Sequence, residues 1–160
     1  MKIVVADAGP LISASRANSL ELVRKVYGEI IIPKAVADEI STGGKKNIGA
    51  QIVHYGWIKS VVVTNIGEVQ LLRLRLGNGE SEAIVLAQEL NATIFADEGK
   101  VISECRKRKL SVTSTLRMLL EAKQKGFITN VKEELDNFLS NGFRLSEKLY
   151  EEVLLLANEN

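Results

Sequence analysis

MKIVVADAGP, residues 1–10, is the stretch whose reading decides the fold. Ile3, Val4 and Val5 form an apolar, β-branched run too short for a helix, and so predict a buried strand. Asp7 follows at once, and Gly9-Pro10 predict a turn. A carboxylate at the carboxyl end of a first strand stands where open α/β sheets place their chemistry. If other segments bring more acids to that edge, the place becomes a cation site.

Working outward, the same strand pattern returns in EIII before Pro33, in WIKSVVVT (57–64), in TIFA (93–96) and in LSVT (110–113). Helical periodicity fills the gaps. It predicts a helix pair in 11–28, ended by Gly28, and a short helix in PKAVADEISTG with Val36 and Ile40 inward. A basic loop, Gly43-Gly44-Lys45-Lys46-Asn47, leads to another short helix at 48–56. Amphipathic helices follow in IGEVQLLRLRLG, ended by Gly77, and in GNGESEAIVLAQELN. KVISECRKRK is a helix with a basic end, and STLRMLLEAKQKG is one ended by Gly126. VKEELDNFLSNG and SEKLYEEVLLLAN add two more. Strands alternating with helices through the first two thirds predict βαβ units, a central mainly parallel sheet and a helical carboxyl-terminal tail.

A chain of 160 residues is read as one domain spanning 1–160, long enough to bury a core. A net charge of +1 gives no global field toward nucleic acid or membrane, although basic residues can still rim an acidic site. Cys105 is the only cysteine and His54 the only histidine, which excludes a disulfide framework and a zinc site rich in Cys or His. No apolar run approaches a membrane span, and the first segment reads as a strand, so a cytoplasmic protein is expected.

The acids carry the functional reading. Asp7 follows the first strand, and Asp97-Glu98 follow TIFA. Singly, each is slightly better explained as a turn former or helix cap. Together in one parallel sheet they favour a shared site, because right-handed crossovers bring the carboxyl ends of such strands to the same edge. Glu80 and Glu82 open a helix, where acids are favoured in any case. Glu82 precedes Ala83 on the buried face and can point along the sheet edge. Asp38 and Glu39 compete inside the helix after the second strand, and spacing does not choose between them.

The segments VVADAGPLI, YGEIIIPKAVADEI, LGNGESEAIVLAQELNATIFADE, LSVTSTLRMLLEAKQKGFI and NGFRLSEKLYEE occur in an order and spacing that resembles the PIN-domain family. The likeness is to its PIN-like subgroup of small prokaryotic proteins related to the toxin ribonucleases of toxin–antitoxin pairs. It implies a three-layer α/β/α fold and places Asp7, Glu39, Glu82 and Asp97 on the family's catalytic acids. The metal set it implies is these four with Glu98, holding one or two Mg or Mn ions. Glu80 and Thr115 become accessory residues. Two departures stand out. Ala8-Gly9 replace the Ser or Thr that often follows the first Asp, and Glu98 stands where relatives carry a second Asp.

That chemistry suits the composition. Phosphodiester hydrolysis needs an activated nucleophile and charge on the phosphoryl oxygens, which hard divalent cations on carboxylates supply without histidine. The expected partners are an RNA substrate, a small protein antitoxin and a second copy of the chain. Lys34, Lys45, Lys46 and Lys100 are candidate substrate contacts near the motif loops, while Arg106-Lys107-Arg108-Lys109 reads as a solvated face. Aromatic residues, at 5%, are too scarce for extensive base stacking. The run Val153–Leu156 reads as core or as a dimer or partner face. The leading expectation is a metal-dependent ribonuclease. The alternative is a PIN-fold interaction module without catalysis, motivated by the two departures. A phosphotransfer domain with Asp97 as acceptor ranks lower, since it leaves Glu39 and Glu82 unexplained.

Overall fold

The computed structural model describes residues 2–42 and 51–159. Lys45 and Lys46, two of the candidate substrate contacts, lie outside the described residues. The first half of the chain runs β1 (Val4–Ala6), α1 (Ala8–Arg16), α2 (Leu20–Tyr27), β2 (Ile30–Pro33), α3 (Lys34–Thr42) and β3 (Ile58–Val61), with a 3-10 turn at Ile52–His54 before β3. The second half runs α4 (Ile66–Leu72), α5 (Asn78–Leu90), β4 (Thr93–Phe95), α6 (Gly99–Lys107), β5 (Val112–Thr113), α7 (Thr115–Gln124), α8 (Val131–Ser140) and α9 (Glu147–Leu156).

The strands form one sheet in the order β3-β2-β1-β4-β5, and every described pairing is parallel. Period-two alternation divides the core. Val4, Ala6, Ile30, Ile32 and Phe95 face the layer that holds α1, α2, α7, α8 and α9. Val5 and Ile94 face the layer of α4, α5 and α6. This is the three-layer α/β/α arrangement expected from the sequence. The chain builds outward from β1 through β2 to β3, then returns to add β4 on the other side of β1. The switch between β1 and β4 is where such sheets open a crevice at their carboxyl ends.

Several local expectations change. Gly9-Pro10 does not turn the chain, because α1 begins at Ala8 with Asp7 as its N-cap, and proline is tolerated in a first helical turn. Gly77 does not end α4, which stops at Leu72; it caps the start of α5 instead. Arg108 is not part of a solvated face, since it pairs with both Glu104 and Glu68 at 2.8 Å. The run 153–156 divides, with Val153 and Leu154 in the core and Leu155 and Leu156 exposed. No described helix is long and apolar enough to cross a membrane.

Candidate functional site

The site is built at the β1/β4 switch. The Asp7 N–H donates to the Phe95 carbonyl at 2.9 Å, so the register of the two strands fixes where Asp7 leaves the sheet. Its carboxylate then caps α1, accepting the Ala8 N–H at 2.9 Å. Asp97 leaves β4 beside it and is held by α7. The Thr115 N–H donates to Asp97 Oδ1 at 2.8 Å, and the Thr115 hydroxyl donates to Oδ2 at 2.6 Å. Thr115, buried at the start of α7, fixes the plane of that carboxylate. Asp7, Asp97 and Glu98 line one cavity together with Gly9, Pro10 and Gly99.

Glu39 comes from α3, which packs on α5. An added Cβ on Gly79 would meet Glu39 Oε1 at 2.7 Å, so the missing side chain at that position admits the carboxylate. Sequence reading missed this role for Gly79, although a glycine inside a helix start is a usable signal. Neighbouring Asp38 points away and pairs with Lys34 at 2.9 Å. Lys34 is thereby engaged on the surface, and Lys100 is exposed at the start of α6.

Glu80 and Glu82 are separated by their partners. Glu80 accepts the Gly77 N–H at 2.8 Å, and its charge acts on both Asp7 and Glu39. Glu82 accepts the Ala35 N–H at 3.0 Å, in the first turn of α3, and lies 3.8 Å from Arg73. It therefore couples α5 to α3.

The electrostatics are those of acids without a counter-charge. Burial pushes the Asp7 carboxyl up to about 7, and the charges of Glu80, Glu39 and Glu98 push the same way. Burial also raises Asp97, against the lowering effect of its two Thr115 bonds, and burial and Glu80 raise Glu39. The donor atoms are carboxylate oxygens with one hydroxyl nearby, a set that suits hard divalent cations rather than zinc or copper. Together with the cradle at Gly79, this donor set fits such an ion. Among the described residues no three of these acids are already drawn together as ligands.

A protein-family model described as a PIN domain matches residues 3–159. The chain belongs to the PIN-domain family. PIN domains are in general nucleases that bind divalent metals, so a nucleic-acid substrate and a nuclease fold come with membership. No curated protein matches the chain. The PIN segments recognised in the sequence map onto the β1/β4 crevice (VVADAGPLI and TIFADE), the α3–α5 contact (AVADEI and GNGESEA) and the α7 start (VTSTL).

Proposed function

We propose that this PIN domain is a Mg- or Mn-dependent ribonuclease of one domain, working in the cytoplasm. The observation that carries the reading is that Asp7, Asp97 and Glu98 line one cavity at the switch point and, among the described residues, none of them is ion-paired to a lysine or arginine. Asp7, Glu39, Asp97 and Glu98 hold one or two ions, with Glu80 or Glu82 as the further ligand. Glu80 is favoured because its charge bears on Asp7 and Glu39, whereas one oxygen of Glu82 is taken by Ala35.

The chemistry a divalent cation supplies in such a site is charge neutralisation at the phosphoryl oxygens and acidification of water. The chain's own residues do the positioning. Asp7 is fixed by the strand end and the α1 cap, and Asp97 by two bonds from Thr115. Thr115 acts on the reaction only through Asp97, so it is a positioning residue.

The subgroup resemblance supports a role as the toxin of a toxin–antitoxin pair. A small antitoxin, or a second copy of the chain, would cover the exposed Leu155 and Leu156 of α9. The test is cleavage of labelled single-stranded RNA with Mn²⁺, with chelator, and by Asp7→Asn. Metal-dependent cleavage lost in Asp7→Asn supports the reading. A folded wild type that binds Mn²⁺ and RNA without cleaving supports the interaction module, which the Ala8-Gly9 and Glu98 departures favour.

A further inference from the structure

The cavity over the acids contains one side chain that the nuclease reading leaves without work. Its volume is about 280 Å³, and Phe143 and Arg144 complete the lining begun by Asp7, Asp97 and Glu98. Arg144 is the one cation among its described lining residues. It belongs to the short connection between α8 and α9, far along the chain from every acid of the site. Among the described residues it forms no salt bridge and no hydrogen bond. Its guanidinium, with five donors, belongs to an exposed side chain on the rim of a cavity that three acids line, and no described protein group takes any of those donors.

The connection is anchored on both sides of Arg144. The Phe143 N–H donates to the Phe138 carbonyl at 3.0 Å, and its ring meets Phe138 edge-on with centroids 5.9 Å apart. Phe143 and Leu145 both pack against the core, so the residue between them is turned outward. Asn137 Nδ2 donates to the Ala17 carbonyl at 2.8 Å and ties α8 to the end of α1, the helix whose first turn borders the cavity. The planar guanidinium fork is pre-organised, so it loses less freedom per hydrogen bond on gripping a ligand than a lysine does.

An anion entering a cavity of acids meets repulsion, and a cation on the opposite wall offsets it. The guanidinium fork matches the two non-bridging oxygens of a phosphodiester, which is the anion of single-stranded RNA. We propose that Arg144 is a substrate-binding residue of this site, holding a phosphodiester of single-stranded RNA over Asp7 and Asp97. The inference rests on the nuclease reading and deepens it by naming the group that receives the substrate. It adds the helical tail to the places of substrate recognition, beside the candidate lysines Lys34, Lys45, Lys46 and Lys100 of the motif loops.

The test uses the full chain and a fluorescently labelled single-stranded RNA. Equilibrium anisotropy is measured with Ca²⁺ over a range of salt, cleavage with Mn²⁺, and Mn²⁺ binding by calorimetry, for wild type, Arg144→Ala and Arg144→Lys. Expected for Arg144→Ala are binding weaker by about tenfold, a log–log salt slope shallower by about 0.7, a raised KM, and Mn²⁺ binding and melting temperature unchanged. Arg144→Lys keeps the charge without the fork and falls between. Replacing single phosphodiesters by neutral methylphosphonates reproduces the loss at one position, and Arg144→Ala adds nothing there. Equal affinity and equal slope for Arg144→Ala and wild type overturn the proposal. So does loss of Mn²⁺ binding or of fold in both variants, which makes Arg144 structural. Wild type that binds RNA but does not cleave it overturns the nuclease reading, and the affinity comparison still decides Arg144. Wild type that binds no RNA overturns both.

Discussion

Asp7 and Glu104 are almost equally buried, at 5% and 6% exposure, yet the protein treats them in opposite ways. Glu104, on α6, meets Arg75 and Arg108 at 2.8 Å each, and the two guanidinium groups pull its carboxyl down to about 2. Arg108 extends the network to Glu68 and Gln88. Asp7 has one backbone N–H and three more acids within electrostatic reach, and burial drives it up to about 7. The first carboxylate has its cations built in and acts as architecture, tying α6 to the α4–α5 connection. The second has none, and the arrangement makes sense when a cation comes from solution. A buried charge points to function when its counter-charge is missing, not simply when it is buried.

The largest expected effect tests that difference directly. Asp7→Asn should lower RNA cleavage by about 10³-fold or more, equivalent to ~4 kcal/mol of transition-state stabilisation. Glu104→Gln should leave the rate per folded molecule near wild type. Single-turnover cleavage of the two variants side by side checks this, and a Glu104→Gln rate as low as that of Asp7→Asn breaks the comparison.

Stability against pH comes next. Folded Asp7 keeps its proton up to pH about 7, whereas the unfolded chain releases it near 3.8. Between these values the folded state binds more protons, so chelator-treated protein loses stability as pH rises and levels off above 7. The ceiling for this one group is ~4 kcal/mol. Asp7→Asn should flatten the slope and melt higher than wild type at pH 8, and Mn²⁺ should raise the wild-type melting temperature in the same range. Glu104 has the opposite sign. Its contribution is present above about 4.5 and is lost as pH falls toward about 2. A wild-type melting temperature that does not change between pH 5 and 8 without metal contradicts the assignment.

Removing one side of the built-in pair is the third effect. Glu104→Gln should cost about 2–3 kcal/mol in urea unfolding, because it leaves the half-buried Arg108 short of a counter-charge. Arg75 is largely exposed, so Arg75→Gln should cost well under half as much.

The smallest change in stability sharpens the other side. Gly79→Ala should alter stability by no more than ~1 kcal/mol, since the gain in helix propensity offsets the crowding against Val36. The new Cβ displaces the flexible end of Glu39, so Mn²⁺ affinity should fall by roughly tenfold. An unchanged affinity would show that Glu39 does not need the cradle.

Much of this was legible in the sequence. The strands at 30–33 and 93–95 announce themselves as β-branched runs with Pro33 or acids behind them, and α7 shows its apolar face and its Gly126 stop. Asp7 and Asp97 stood out because an acid directly after a strand is a local pattern. Glu39 and Asp38 did not separate on spacing, because consecutive helix residues point only about 100° apart and the neighbour decides which one is used. Gly9-Pro10 misled because the same dipeptide serves a turn and a first helical turn, and the capping bond from Asp7 selects the second. Arg108 misled because a basic run at a helix end looks solvated until another helix brings acids to it.

By itself, then, the sequence determined the alternation of strand and helix, the parallel sheet and the acids at two strand ends, because hydrophobic period and turn chemistry are local. The tertiary structure alone decided which acids share a cavity, that Gly79 admits Glu39, and that Glu104 is answered by arginines while Asp7 is not. It also brought Arg144 from the helical tail to the rim of the cavity that Asp7 lines. Those are pairings between segments distant in the chain, set by strand order and helix packing, and no window of residues contains them.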